Sequence, residues 1–372
     1  MTIFTIFFTV LGIMYVLLGI LLIAGVLRIP RTAAGYQPFV SIIIPVRNEA
    51  HTIIRCLDSL AALDYPHNKI EIIVIDDHSE DDTAQMVQSR NAGLTADIPI
   101  RCITLASLPE KRSGKISALA EGYQNARGEI IFQTDADCVV PPKWIQELVR
   151  QFTDRVGAAG GITLMRYFNK PDTVFTHLQS LDMMYLIGAG IGARGIGATL
   201  SCFGNNIAVK KSAYEAFGGY ESIPFTFTED FALVQGLAKR GWNIGYTLSE
   251  DAVVYSRATE TLLAFINQRL RWLSGGLRYT GKGIILLSAA FLLHICMLIG
   301  MFTGVNVYIF FGILSSALLT DFIFLYLLAK KINKKYILRF FLPFEFYYII
   351  CTTIFGLMLP FATALKWKGR RY

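Results

Sequence analysis

Charge is scarce in this chain. Only 17% of its 372 residues are Asp, Glu, Lys or Arg, against about a quarter in soluble domains. Hydrophobic residues make up 53%, which excludes an ordinary soluble protein. It also excludes disorder, because so apolar a chain buries enough surface to offset its ordering entropy. Ordered cysteine spacing is missing as well. Cys56, Cys102, Cys138, Cys202, Cys296 and Cys351 form no C-x-x-C pair, so they read as reduced thiols and not as a disulfide framework or zinc site. G-x-x-x-x-G-K-[ST], G-x-S-x-G and H-E-x-x-H are absent, which removes P-loop, α/β-hydrolase and zincin chemistry. A net charge of +7 raises nucleic acid as a partner. The basic residues, however, flank apolar segments: Arg28 and Arg31, then Lys330, Lys331, Lys334 and Lys335, then Lys366, Lys368, Arg370 and Arg371. That placement suits anionic headgroups and the positive-inside rule, and nucleic acid is excluded.

What the chain has in abundance is apolar residues at its two ends. Thr2–Leu27 carries no charge and is longer than the roughly 20 residues a bilayer crossing needs. No basic residue precedes it, as one would in a signal peptide, so it reads as a transmembrane helix over 1–27 with the following chain in the cytosol. Residues 28–282 read as a cytosolic domain. Residues 283–365 read as a C-terminal membrane region, with spans near 283–303, 306–329 and 344–365, followed by a basic tail over 366–372. The last block contains Arg339, Pro343, Glu345 and Pro360. If it spans, the basic tail lies outside, against the positive-inside rule, so a re-entrant or interfacial segment is the other reading. Asp321 and Glu345 at membrane depth point either to function or to a place near an interface. The class is a multi-pass integral membrane protein, expected in the plasma membrane.

The middle of the chain alternates. Val40–Pro45 and Glu71–Ile75 are short β-branched runs of the kind buried parallel strands show, and Ile98–Leu105 and Glu129–Gln133 read as further strands. Ala50–Ala62, Asp82–Asn91 and Ile116–Ala126 read as helices. The fold class is α/β with an open sheet, whose ligands sit at the carboxyl ends of strands. Three such ends carry polar clusters: Pro45-Val46-Arg47-Asn48-Glu49, Asp76 to Asp82, and Thr134-Asp135-Ala136-Asp137. Two carboxylates on a short loop, with phosphate oxygens as further ligands, suit Mg2+ or Mn2+. The alternative for that loop is capping of the next helix. Gly188-Ala189-Gly190-Ile191-Gly192-Ala193 matches G-x-G-x-x-A, but it comes after a helix-like stretch with no acid some 20 residues on, so the dinucleotide fingerprint lacks its context. It reads as a flexible small-residue segment near the membrane. Thr228-Glu229-Asp230 precedes a helix and reads either as a cap or as a reactive pair. Gln268-Arg269-Leu270-Arg271-Trp272 reads either as an interface anchor or as part of a site.

In order along Val40–Trp272, SIIIPVRNEA, VIDDHSEDD, the Thr134–Asp137 loop, Thr228-Glu229-Asp230 and QRLRW resemble family 2 glycosyltransferases of the GT-A fold. The last of these matches that family's Q-x-x-R-W. The likeness is closest to its membrane-embedded branch of polysaccharide synthases and ceramide glucosyltransferase. The resemblance implies a GT-A nucleotide-sugar-binding domain, a Rossmann-like mixed sheet, with one N-terminal and two to three C-terminal transmembrane helices. It implies that Pro45, Glu49 and Asp77 hold the uridine and ribose, that Lys115 lies by the nucleotide, and that Asp135 and Asp137 serve the ribose and a divalent cation. It makes Asp230, with Glu229 beside it, the catalytic carboxylate, and Gln268, Arg271 and Trp272 the residues closing over diphosphate and acceptor. Gly204 and Asn205 stand at the acceptor-side position, where the wording departs from the synthases.

Residue chemistry agrees with this. A leaving diphosphate needs a cation and an arginine, and the acceptor hydroxyl needs a base. A single base without a nucleophilic partner implies inversion, hence a β-glycoside from an α-linked donor. The acceptor has two readings: a lipid receiving one sugar, or a growing polysaccharide. Three or four membrane segments make a thin channel, which favours the lipid unless a homo-oligomer or an accessory export subunit contributes helices. A non-catalytic nucleotide-sugar sensor is the reading from another class, and it has no need of a base.

Overall fold

A computed structural model of the protein describes residues 3–29, 36–93, 98–106, 114–200, 204–223, 226, 228–276, 281–358, 366–367 and 370–371. The chain folds into two compact units. One comprises Met1–Ile29, Asp172–Leu200 and Thr259–Tyr372, the other Pro30–Pro171 and Ser201–Ala258.

The second unit is built on a seven-stranded sheet. Its strands are β1 (Val40–Val46), β2 (Ile70–Asp76), β3 (Ile100–Thr104), β4 (Ile130–Gln133), β6 (Val156–Gly160), β8 (Ile207–Lys210) and β9 (Asn243–Tyr246), in the order β3-β2-β1-β4-β8-β6-β9. β5 (Cys138–Val139), β7 (Thr163–Arg166) and β10 (Val254–Arg257) form a small second sheet. β1 runs parallel to β2 and β4, with Val46 opposite Asp76 and Ile43 opposite Gln133. β8 runs antiparallel to β4, with Gln133 opposite Ile207. The β1 and β2 sequences are apolar on both faces because both faces are covered. Ile42, Ile44 and Val74 pack with Ile53, Leu57 and Leu60 of α2 (Ile53–Ala61) and with Trp144 and Leu148 of α5 (Trp144–Val149). On the other face Gly122 of α4 (Gly114–Asn125) lies so close that a Cβ there would meet Ile43 Cγ2 at 2.6 Å. The helices α3 (Thr83–Gly93), α7 (Lys211–Phe217) and α8 (Glu229–Lys239) complete the unit.

The four expected strands and three expected helices are present with ends shifted by up to three residues. β6, β8 and β9 were not expected. VGAAG has one β-branched residue followed only by Gly and Ala, and IAVK and NIGY are too short to show a period.

The helical unit contains α1 (Ile3–Arg28), α6 (Val174–Gly195), α9 (Leu262–Gly276), α10 (Gly281–Gly300), α11 (Val307–Lys331) and α12 (Phe341–Met358). Among the described residues, three helical segments are long and apolar enough to cross a membrane: α1, α11, and α12 together with the 3-10 turn before it, Lys335–Met358. Two of these lie in the C-terminal part of the described residues. In α10 the apolar stretch Ser288–Gly300 is shorter. Asn306 starts α11 by accepting from the Tyr308 and Ile309 amides at 3.0 and 3.4 Å, the capping expected of Asn. Pro343 fits within α12 because it sits in the first turn, where amides have no partner inside the helix. Residues 359–365 of the last expected span lie outside the described residues.

α1 is apolar all round, as a membrane helix is. Phe8, Leu11, Tyr15 and Leu22 face the other helices, while Val10, Ile13, Leu17 and Ile20 are exposed. Asp321 is 2% exposed and accepts from the hydroxyls of Tyr15 and Tyr185, each at 2.8 Å, so the acid ties three helices together.

Gly188–Ala193, expected as a flexible segment, is the second half of α6. Its small residues let two backbones touch. A Cβ on Gly192 would meet the Leu22 carbonyl oxygen at 2.6 Å, and one on Gly25 would fall on the Gly192 carbonyl. Backbone atoms have nowhere to go, so Gly25→Ala is expected to cost about 2–3 kcal/mol as overpacking. At Gly12 the neighbour is the Ile313 side chain, which can rotate, and Gly12→Ala should cost about 1 kcal/mol. Thermal unfolding in detergent measures both; equal shifts would refute the seam.

Candidate active site

β2, β1 and β4 lie side by side and parallel, so their three carboxyl ends open on one edge of the sheet. The chain leaves β1 and β2 through the left-handed residues Asn48, φ 53°, and His78, φ 56°. That conformation costs energy in any residue with a Cβ and persists where surrounding bonds enforce it. Here Asn48 N donates to Ser79 Oγ at 3.0 Å, and Asn48 Oδ1 accepts from Glu80 N at 2.8 Å. The two loops are thus stitched together.

Pro45 lies at the end of β1, opposite Ile75. Glu49 comes after the loop; its amide donates to Thr83 Oγ1 at 2.8 Å, and its Oε2 accepts from Thr52 Oγ1 at 2.6 Å. Asp77 is 2% exposed. Its Oδ1 stands 3.2 Å from His78 Nδ1 and 3.9 Å from Arg47 Nη1, and Arg47 also donates to the Asp77 carbonyl at 2.8 Å. Arg47 and Thr83 were not singled out from the sequence. Their signal was only that they adjoin acids whose place on the edge was legible.

After β4 the Asp135–Asp137 loop closes through Cys138 N donating to the Asp135 carbonyl at 3.0 Å. Ala136 points into the core at 2% exposure, leaving the two flanking carboxylates half-buried at the surface. Lys115, at the start of α4, reaches Asp135 Oδ1 and Glu229 Oε1, each at 2.9 Å. Burial alone would lower the lysine pKa, but the Asp135 and Glu229 charges together hold it above its usual value. Cys138 Sγ donates to Asp137 Oδ1 at 3.4 Å. Burial, with the charges of Asp137 and Asp135, pushes that thiol well up, so it stays a donor.

Glu229 and Asp230 open α8, yet they are not equivalent. Glu229, expected beside Asp230 as a catalytic carboxylate, is buried and held by Lys115 as a counter-ion. Asp230 is in no ion pair among the described residues. Its Oδ2 accepts from Gly204 N at 2.7 Å and its Oδ1 from Phe231 N at 2.8 Å. Burial, then the charge of Glu229, raises its pKa to about 6, against the lowering by Lys115 and the two amides.

Gly204, Asn205 and Asn206 reach this place because β8 is antiparallel to β4, which puts the start of β8 at the end of β4. A Cβ on Gly204 would stand 3.1 Å from that of Asp230. Asn205 Oδ1 accepts from Thr163 Oγ1 at 3.0 Å. Asn206 is a fully buried staple: it accepts from Trp144 Nε1 at 2.8 Å and donates to the Ile162 and Ala252 carbonyls at 3.0 Å. Phe203 lies outside the described residues. Gln268, Arg271 and Trp272 are on α9 in the helical unit; Gln268 Oε1 is buried without a hydrogen-bond partner among the described residues.

An open mixed sheet with acids at three adjacent strand ends and one backbone-held carboxylate defines a glycosyltransferase of the GT-A fold. The chain belongs to glycosyl transferase family 2: the model described as Glycosyl transferase family 2 matches residues 41–217, and that described as Glycosyl transferase family group 2 matches residues 130–365.

Over 243 residues the chain is 28% identical to the beta-monoglucosyldiacylglycerol synthase of Trichormus variabilis, covering 65% of this chain and 50% of that protein. It is also 28% identical over 243 residues to the poly-beta-1,6-N-acetyl-D-glucosamine synthase of Staphylococcus aureus (strain COL), covering 64% and 54%. The chain thus spans about half the length of the curated relatives it matches. Among solved structures, a mannosyltransferase from Pyrobaculum calidifontis in complex with GDP-Man and Mn2+ superposes with a TM-score of 0.60 at 19% identity, covering 95% of this chain and 98% of that one. That likeness is one of fold.

Proposed function

We propose that the protein is a membrane-bound inverting glycosyltransferase that moves one sugar from a nucleotide sugar, UDP-linked, to a lipid acceptor at the cytosolic face. The observation that carries it is the division of labour among the acids. Asp135 and Glu229 are occupied by Lys115, while Asp230 is held by two backbone amides with its pKa raised to about 6. A carboxylate so placed takes the proton from the acceptor hydroxyl as that oxygen attacks the anomeric carbon. With its neighbour locked as a counter-ion, direct displacement with inversion is the favoured course, and an α-linked donor then yields a β-glycoside.

Glu49 and Asp77, on their stitched loops, would hold ribose and uracil. Asp137 would hold a divalent cation. Among the described residues no three His, Cys, Asp or Glu side chains stand together as a cage. The half-buried carboxylate oxygens of Asp137 suit Mg2+ or Mn2+, which complete their shell with phosphates and water. When bound, the cation supplies charge neutralisation of the leaving diphosphate. From the family resemblance, Arg271 and Gln268 would serve the diphosphate and Trp272 the acceptor.

The lipid acceptor is supported by the helical unit. Among the described residues, Phe8, Leu11, Tyr15, Leu293 and Met297 pack into one apolar cluster, which favours single transfer over extrusion of a polymer. The relatives include both a glucosyldiacylglycerol synthase and a poly-N-acetylglucosamine synthase at 28% identity, so the choice of a lipid rests on the helical unit. Membranes from expressing cells, given labelled UDP-glucose, UDP-N-acetylglucosamine, UDP-galactose or GDP-mannose with Mg2+ or Mn2+, should place label in the organic phase on solvent partition. Label in high-molecular-weight aqueous or insoluble material would make the protein a polysaccharide synthase instead.

A further inference from the structure

The second residue of Gln268-Arg269-Leu270-Arg271-Trp272 has no part in the motif's wording, yet it is the most enclosed charge on α9. Arg269 is 8% exposed. Its Nη2 lies 2.6 Å from Asp182 Oδ2 on α6 and 3.5 Å from the Tyr347 hydroxyl on α12, and that hydroxyl itself donates to Asp182 Oδ2 at 2.8 Å. The flat guanidinium also lies over rings of its own helix, 5.0 Å from the centroid of Phe265 and 4.8 Å from that of Trp272. Phe265 in turn packs edge-on against Phe355 of α12. The start of α9 is tied down too. Gln179 on α6 accepts from Thr259 N and Oγ1 at 3.1 and 2.8 Å and donates to the Thr259 carbonyl at 3.2 Å.

We infer that Arg269 is a positioning residue for sugar transfer: pinned by Asp182 and Tyr347, it presents a fixed face on which Trp272 rests, and so sets the ring through which the acceptor is recognised. This rests on the proposed role of Trp272. An ammonium in its place would keep the charge opposite Asp182 but offers no planar face for stacking. A residue three positions along a helix is a natural partner for such a contact, so the effect is confined to one turn of α9 and does not extend through the bundle.

The test is Arg269→Lys, chosen because it retains the buried ion pair, combined with Trp272→Phe in a double-mutant cycle in detergent-solubilised full-length protein. Arg269→Lys should lower kcat by about 10²-fold, the order expected for a misplaced substrate contact, with the donor KM changed by less than about twofold. Added to Trp272→Phe it should cost little more, because the two act as one unit. Hydrogen exchange should quicken about tenfold at residues 268–273 while α6 and α12 stay protected. Wild-type turnover in Arg269→Lys, additive losses in the double variant, or exchange rising equally in α6 and α12 would each overturn the inference. If the wild-type protein transfers no sugar, the functional reading fails. The exchange comparison then decides by itself whether Arg269 fixes Trp272.

Discussion

Asp230→Asn is expected to lower kcat by about 10³–10⁴-fold, the upper range for loss of a general base, with the donor still bound. The amide is isosteric, and its oxygen can keep one of the two backbone bonds now made from Gly204 and Phe231. The fold is therefore retained while the proton acceptor is gone. The same residue sets a pH dependence. Its pKa is raised to about 6 by burial and by Glu229, and only the carboxylate can take a proton. The wild-type kcat/KM should thus fall about tenfold per unit below that value, and the residual rate of Asp230→Asn should lack this limb. The linkage runs the other way for stability. A carboxyl whose folded pKa exceeds its unfolded value stabilises the fold when protonated, and that contribution is lost as pH rises through about 6. Acid loss of activity above the pH of general unfolding is therefore a catalytic effect. Initial rates from pH 5 to 8, with circular dichroism at each pH, separate the two. An acid limb that survives in Asp230→Asn would remove Asp230 from the role of base.

The second large effect is expected at Asp137. Chelator treatment should abolish transfer by the wild-type protein, and added Mn2+ or Mg2+ should restore it. Asp137→Ala should lose about 10³-fold in kcat, the several kcal/mol a cation contributes to a leaving diphosphate, and added cation should restore little of it. The choice of Asp137 over Asp135 comes from Lys115, which already neutralises Asp135 at 2.9 Å. Titration of rate against Mn2+ concentration for both proteins is the measurement. A variant that recovers full activity in excess Mn2+, or a wild-type protein indifferent to chelator, would assign the diphosphate to protein groups alone.

Much of the site was legible because its chemistry sits where strands end. β-branched runs such as VSIIIPV and IEIIVID announce buried strands, and in an open sheet the residues just past such a strand lie at the ligand edge. The clusters that hold Glu49, Asp77, Asp135 and Asp137 could therefore be placed at that edge from the strand pattern, while the role expected of each, and of Asp230, came from the family resemblance. Local sequence did not tell Glu229 from Asp230. Both begin the same helix, and which one is spent as a counter-ion depends on Lys115, more than a hundred residues away. Asn205 and Asn206 pose the same problem: adjacent amides, one accepting from Thr163, the other fully buried as a staple of the core.

The membrane region divides in the same manner. Composition alone set out which stretches are apolar enough to leave water, since transfer free energy adds up along a segment whatever its neighbours are. It could not say that Gly188–Ala193 is helix and not a flexible connection, because glycine is a poor helix former until a second backbone needs the room it leaves. Gly25 on α1 supplies that need. Nor could it single out Arg269 within QRLRW, where two arginines look alike until Asp182 and Tyr347 close on one of them. By itself, then, the sequence determined strands β1 to β4, the acids at their ends and the apolar segments, all of which come from short-range pattern. The pairing of charges, the helix seam and the enclosed arginine belong to the tertiary structure alone, because each is an energy between groups that only folding brings within a few ångströms.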